Sequence, residues 1–163
     1  MSDVLCIYYS RTGITAKAME EIGRALDAEV VAIRDGAARR GVMGALRCGL
    51  DAMKKDCAPV RSFETERPLE DYRLVILGTP VWAGRCSSVI RSFLKAYGSK
   101  LDRVGYVVTR CSEGRYEDIY RQMDGYTNAD HVCAVSLRDG SVGYCFWQEE
   151  FLRQAREYLA QEQ

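Results

Sequence analysis

The chain has 163 residues, 47% hydrophobic and 28% charged, which suits one soluble globular domain spanning 1–163 with a core of its own. Its 23 Lys and Arg balance 23 Asp and Glu, so no net field draws in nucleic acid or an oppositely charged partner. No apolar run reaches membrane-spanning length, and Met1-Ser2-Asp3 leads straight into an apolar segment with no leader, so a cytoplasmic protein without membrane insertion is expected.

Val4 to Tyr9 is an unbroken apolar and aromatic run, the pattern of a strand buried on both faces. It stops at Ser10-Arg11-Thr12-Gly13-Ile14-Thr15, and Ile14, Ala18, Ile22 and Leu26 then recur at helical spacing. A chain that leaves a strand through hydroxyls and a glycine, then enters a helix without a spacer, puts unpaired N–H groups at the turn. Those groups and the positive end of the helix dipole suit an anion. The stretch has neither the glycine–lysine spacing of a nucleoside-triphosphate loop nor the three-glycine dinucleotide fingerprint. It reads as a seat for one phosphate group or, equally, as a plain Ser/Thr helix cap.

A second strand is expected at Val30 to Ile33. The stretch from Arg34 to Arg67 is less regular, but Val42, Leu46, Leu50 and Met53 stripe a helix there, beside Arg39, Arg40, Arg47, Lys54 and Lys55. That basic side is either a solvated face or a dock for a partner or a nucleotide phosphate. The next strand, Leu74 to Thr79, runs into "LGTPVWAGR", again leaving through a hydroxyl, a proline and a glycine. Trp82 in this small-sided loop is a platform for a planar ring, or a lid over a helix end.

Val89, Ile90, Phe93, Leu94 and Tyr97 predict a helix ending near Gly98. Val104 to Thr109 and Val132 to Leu137 predict two more strands, with a short helix around Ile119, Tyr120 and Met123 between them. Phe151, Leu152, Ala155, Tyr158 and Leu159 stripe the last helix. Alternating strands and helices predict a parallel sheet covered on both faces, with its ligand at the carboxyl ends of the strands.

Seven cysteines at 6, 48, 57, 86, 111, 133 and 145 include no C-x-x-C pair and match neither a disulfide framework nor a zinc site. His131 is the only histidine, which excludes a histidine triad and leaves it a structural or solvated role. Cys111 follows the fourth strand with no resolving cysteine nearby in sequence, and reads as a passive loop thiol.

Taken in order, these motifs resemble the flavodoxin family over essentially the whole chain. Ser10-x-Thr12-Gly13-x-Thr15 is similar to the family's phosphate loop, "GTPVWAG" to its ring-binding loop, and "YVVTRCSEG" stands where its third flavin loop follows the fourth strand. The resemblance implies a flavodoxin-like three-layer α/β sandwich with a five-stranded parallel sheet of order 2-1-3-4-5, and one non-covalent FMN. Ser10, Arg11, Thr12, Gly13, Ile14 and Thr15 would hold the phosphate. Thr79, Pro80, Val81, Trp82, Ala83 and Gly84 would line one side of the isoalloxazine; Thr109, Arg110, Cys111 and Ser112 would approach its other edge. Tyr116 stands near where a tyrosine covers the outer ring face in many flavodoxins. FMN is expected rather than FAD, because no second glycine-rich turn exists for a pyrophosphate and adenosine.

The sequence departs from the family pattern at Ile14, where Asn is frequent, at Cys86, where Pro is common, and in the third loop, which lacks the usual glycines. The implied function is electron transfer between redox partner proteins. An NAD(P)H-dependent FMN-containing quinone or flavin reductase is an alternative, as is a flavodoxin-like binding module that has lost FMN. Retention of Thr12, Gly13, Thr15, Trp82 and Gly84 together argues against the last.

Overall fold

The computed structural model describes residues 1–36, 41–54 and 59–161. Its elements are β1 (Val4–Tyr8), α1 (Ile14–Ala25), β2 (Glu29–Ala32), α2 (Gly41–Lys54), β3 (Leu74–Trp82), β4 (Arg85–Cys86), α3 (Ser88–Tyr97), β5 (Val104–Arg110), α4 (Asp118–Asp124), β6 (Cys133–Arg138) and α5 (Tyr144–Gln161). The main sheet runs β2-β1-β3-β5-β6 with every pair parallel. That is the expected order 2-1-3-4-5, with two-residue β4 folded back antiparallel on the end of β3. A two-residue strand has no periodicity to read, so it was invisible in the sequence.

The strands alternate their side chains between two cores, as a pleated sheet must. Leu5, Ile7, Val75, Leu77, Tyr106 and Val108 pack with Val89, Ile90 and Phe93 of α3 and Ile119 and Met123 of α4. Val4, Cys6, Leu74, Ile76 and Val107 pack with Ala18, Met19 and Ile22 of α1 and Phe151, Leu152 and Ala155 of α5. The result is three layers, with α1 and α5 on one face. Lys17 binds Asp139 at 2.8 Å, and Glu21 accepts hydrogen bonds from Tyr144 and Gln148, which pins α1 to the start of α5.

One expectation changes. The helix expected in the irregular stretch exists as α2, but Val42, Leu46 and Leu50 lie exposed rather than in the core. Among its described side chains, α2 is buried through Gly44 and Cys48 instead, because small residues allow a close approach to the sheet. Met53, Lys54, Arg39, Arg40 and Lys55 lie outside the described side chains. α3 ends at Gly98, as expected, with a right-handed φ of −56°. The role of this glycine is close approach rather than a left-handed cap, since a Cβ there would stand 2.1 Å from the Tyr126 carbonyl oxygen.

Candidate functional site

The loops leaving β1, β3 and β5 share the carboxyl edge of the sheet. The first is the turn into α1. Gly13 is the N-cap at φ 95°, a conformation that glycine adopts freely, and no side chain caps the helix. Ser10 Oγ accepts a bond from the Gly13 N–H at 3.0 Å, which shapes the turn rather than capping it. The Lys17 N–H donates to the Gly13 carbonyl at 2.9 Å, leaving the amides of the first turn to the positive end of the dipole. α3 is built differently: Ser87 Oγ accepts from the Ile90 N–H and closes that helix end. The plain-cap reading therefore fails for α1.

The second loop is the hairpin between β3 and β4. Trp82 pairs with Arg85, leaving Ala83 and Gly84 as a two-residue turn, at φ 49° and 71°. Positive φ at both central positions is the type I′ signature, whose twist matches that of the flanking strands. Thr79 is fully buried; its hydroxyl donates to the Pro80 carbonyl and accepts from the Ser87 N–H at 2.9 Å. It fastens β3 to the start of α3.

The third loop follows β5. Arg110 donates from Nε to Ser136 Oγ at 2.9 Å and from its guanidinium to the Ser112 carbonyl at 2.6 Å. Ser112 Oγ and Tyr116 Oη lie 2.9 Å apart, and Tyr116 holds a left-handed φ of 56°. Burial, then the like charges of Arg115 and Arg138, lower the Arg110 pKa. An anion beside this cluster would relieve that repulsion. Thr15 and Thr109 join the first and third loops through hydroxyls 2.6 Å apart.

The three loops enclose a cavity of about 390 Å³, within the ordinary range for small-molecule sites. Of the residues picked out in the sequence, Arg11, Thr12, Ile14 and Thr15 line it from the first loop. Pro80, Val81, Trp82, Ala83 and Gly84 line it from the second, and Thr109, Arg110, Cys111 and Ser112 from the third. Thr79 does not line it, and Ser10 and Gly13 face a neighbouring cavity that shares Arg11. Trp82 is a wall rather than an open platform: it is 6% exposed and makes a T-shaped pair with Tyr9 at 5.4 Å.

Ala45, Cys48 and Gly49 of α2 complete the lining, with Tyr116. Sequence reasoning missed the α2 residues because it followed the large apolar side chains. The usable signal was the small ones, Gly44, Ala45, Cys48 and Gly49, which recur four apart on one side of the helix.

His131 lies elsewhere, with Nδ1 2.8 Å from Asp124 Oδ2, while Asp124 Oδ1 accepts from the His131 N–H and from Tyr106 Oη. This is a structural tie between β5, α4 and β6. Among the described residues, no group of His, Cys, Asp and Glu could hold a metal ion, and no helix is long and apolar enough to cross a membrane.

No protein-family model and no curated protein matches the chain. Solved structures do. A flavoprotein from Lactobacillus acidophilus NCFM, solved in complex with FMN, matches at 20% identity and a TM-score of 0.67, covering 90% of this chain and 99% of that one. A Bacteroides uniformis protein assigned as a flavoprotein reaches 0.75 at 18% identity, covering 95% and 98%. The two-electron reduced flavodoxin of Megasphaera elsdenii matches at 0.58 and 19% identity, covering 91% and 97%. These likenesses show a flavodoxin-like fold.

Proposed function

We propose that this chain is an FMN-binding redox protein that passes electrons between partner proteins. The observation that carries the reading is the convergence of an uncapped helix start, a strained-turn hairpin and a cationic loop on one cavity. The phosphate is held at the start of α1 by amides, the Thr12 hydroxyl and Arg11. Arg11 makes no hydrogen bond or ion pair with the described residues. Ser10 and Gly13 serve the phosphate through the shape of the turn, and Thr79 serves the ring through the path of β3. Pro80 to Gly84 wall one side of the ring; Thr109 to Ser112 approach its other edge, and small α2 side chains close the cavity. FMN bound there supplies reversible electron chemistry that the side chains themselves lack.

Electron transfer needs no general acid or base, and among the described residues the lining includes neither a carboxylate nor a histidine. A second reading, an NAD(P)H-dependent quinone or flavin reductase, is favoured by one observation. Arg115 and Arg138 stand close enough to Arg110 at the cavity to lower its pKa, and a nucleotide phosphate would find cationic partners there. Anaerobic mixing of the FMN-loaded protein with NADH or NADPH separates the two. The carrier reading expects flavin absorbance to persist until a separate flavoprotein reductase is added. Bleaching within seconds by the nucleotide alone overturns it in favour of the reductase.

A further inference from the structure

α2 presents two unlike faces. Gly44 and Cys48 are buried among its described side chains, and Ala45, Cys48 and Gly49 line the first cavity. Away from these, Val42 is 80% exposed, Met43 78%, Leu46 56% and Leu50 48%. Val42, Leu46 and Leu50 follow one another four apart, so they form one ridge along the helix, with Met43 beside it. Arg47 is the one charged residue in the sequence from Gly41 to Leu50. A face so apolar and so poor in charge has the make-up of an interface centre rather than of a solvated helix.

We propose that this ridge is covered by a second copy of the chain, the two α2 helices packing antiparallel about a two-fold axis at Leu46. The ridge is its own complement. Reversed about Leu46, it sets Val42 against Leu50 of the second copy and Leu46 against its own counterpart. Rows spaced four apart on both helices interlock in this way, at a crossing angle of about −50°. The exposed area matches what a dimer needs. At their exposures the four side chains present roughly 400 Å² of apolar surface, the size at which a patch on a monomer marks an interaction site. Two copies bring about 800 Å², and homodimer interfaces are about two-thirds apolar, which implies about 1,200 Å² in all. Stable interfaces begin at about that size. A charged partner would need complementary charges along the ridge, where Arg47 alone stands; an isologous contact needs none. The contact is independent of what the first cavity binds, since Ala45 and Gly49 lie off the ridge.

The test is the mass in solution, by sedimentation equilibrium at low ionic strength, of the wild type, Leu46→Glu and Leu46→Arg. The wild type is expected to reach twice 18.4 kDa, with a dissociation constant on the order of micromolar, the weak end for an interface of this size. Each variant alone should remain at 18.4 kDa, because like charges meet on the axis. Mixed in equal amounts, the two variants should regain the dimer, since opposite charges then meet at position 46. Leu46 is more than half in solvent, so neither replacement should disturb the fold, and unchanged far-UV circular dichroism checks this. A wild type that stays at 18.4 kDa up to about a hundred times micromolar overturns the contact. A dimer that both variants leave intact overturns it as well, because it must form through another face. A mixture that stays monomeric does the same, because position 46 then does not meet its own copy.

Discussion

At the scale of single residues, chemistry and conformation separate cleanly at Thr12 and Gly84. Thr12 is exposed on the first turn of the site and lines the cavity. Its hydroxyl would contact only a phosphate, so Thr12→Ala should weaken FMN by more than about tenfold, from a bond to a charged group of roughly 1.5–3 kcal/mol. Riboflavin, which lacks the phosphate, should bind nearly as before; equal loss of both ligands in parallel titrations would show that the loop is only structural. Gly84 illustrates the conformational side. A Cβ there would meet nothing within 4 Å, yet φ is 71°. Gly84→Ala should therefore cost about 1–2 kcal/mol from the left-handed backbone alone, measured by urea unfolding. Thr12 and Gly84 were both legible in the sequence, because a motif and a turn residue carry their own signals. The role of Thr79 was not: its hydroxyl is committed to Pro80 and Ser87, a partner eight residues away that no local pattern announces.

At the scale of elements, the central strands were the most legible, since burial on both faces makes them continuous apolar runs. α2 was legible as a helix and illegible as a packed element. Its large side chains Val42, Leu46 and Leu50 face outward, and the site uses Ala45, Cys48 and Gly49. Large apolar stripes ordinarily mark the buried face, and here close approach to the cavity selected small residues instead. Gly98 makes the same point where α3 ends. Because its absent Cβ would overlap the Tyr126 carbonyl at 2.1 Å, Gly98→Ala must displace backbone. The expected cost is about 1–3 kcal/mol, as for other overpacked sites. A wild-type urea midpoint for this variant would contradict the close-approach account, since helix propensity alone would make alanine stabilising.

At the scale of the whole molecule, the parallel sheet followed from the alternation of strands and helices and its order from the motif resemblance, whereas the cavity depended on loops meeting across the sheet edge. One consequence of the two-sided core is alkaline sensitivity. Cys6 and Cys133 lie in the core beneath α1 and α5, and burial pushes both thiols from about 9 up to about 12. The folded state keeps protons that the unfolded chain releases above pH 9. The stabilisation is therefore complete below pH 9 and is lost as pH rises toward 12, by about 1.4 kcal/mol per pH unit for each thiol. Urea midpoints recorded from pH 8 to 10 should fall, and Cys6→Ala should flatten the slope even though it lowers the midpoint overall. An unchanged slope in that variant would show that Cys6 does not drive the effect.

FMN binding in the cavity between the three loops, as proposed, is checked by adding apoprotein to a fixed concentration of FMN and following flavin emission. Trp82 stands at the cavity wall with Tyr9 packed edge-on against it, and a flavin ring beside Trp82 should lose its fluorescence to that aromatic neighbour. The expected result is quenching that saturates at one FMN per chain and is much reduced in Trp82→Phe, chosen because truncating so buried a ring to alanine would cost about 3–5 kcal/mol. Flavin emission that stays unchanged through a molar excess of folded apoprotein would contradict the account.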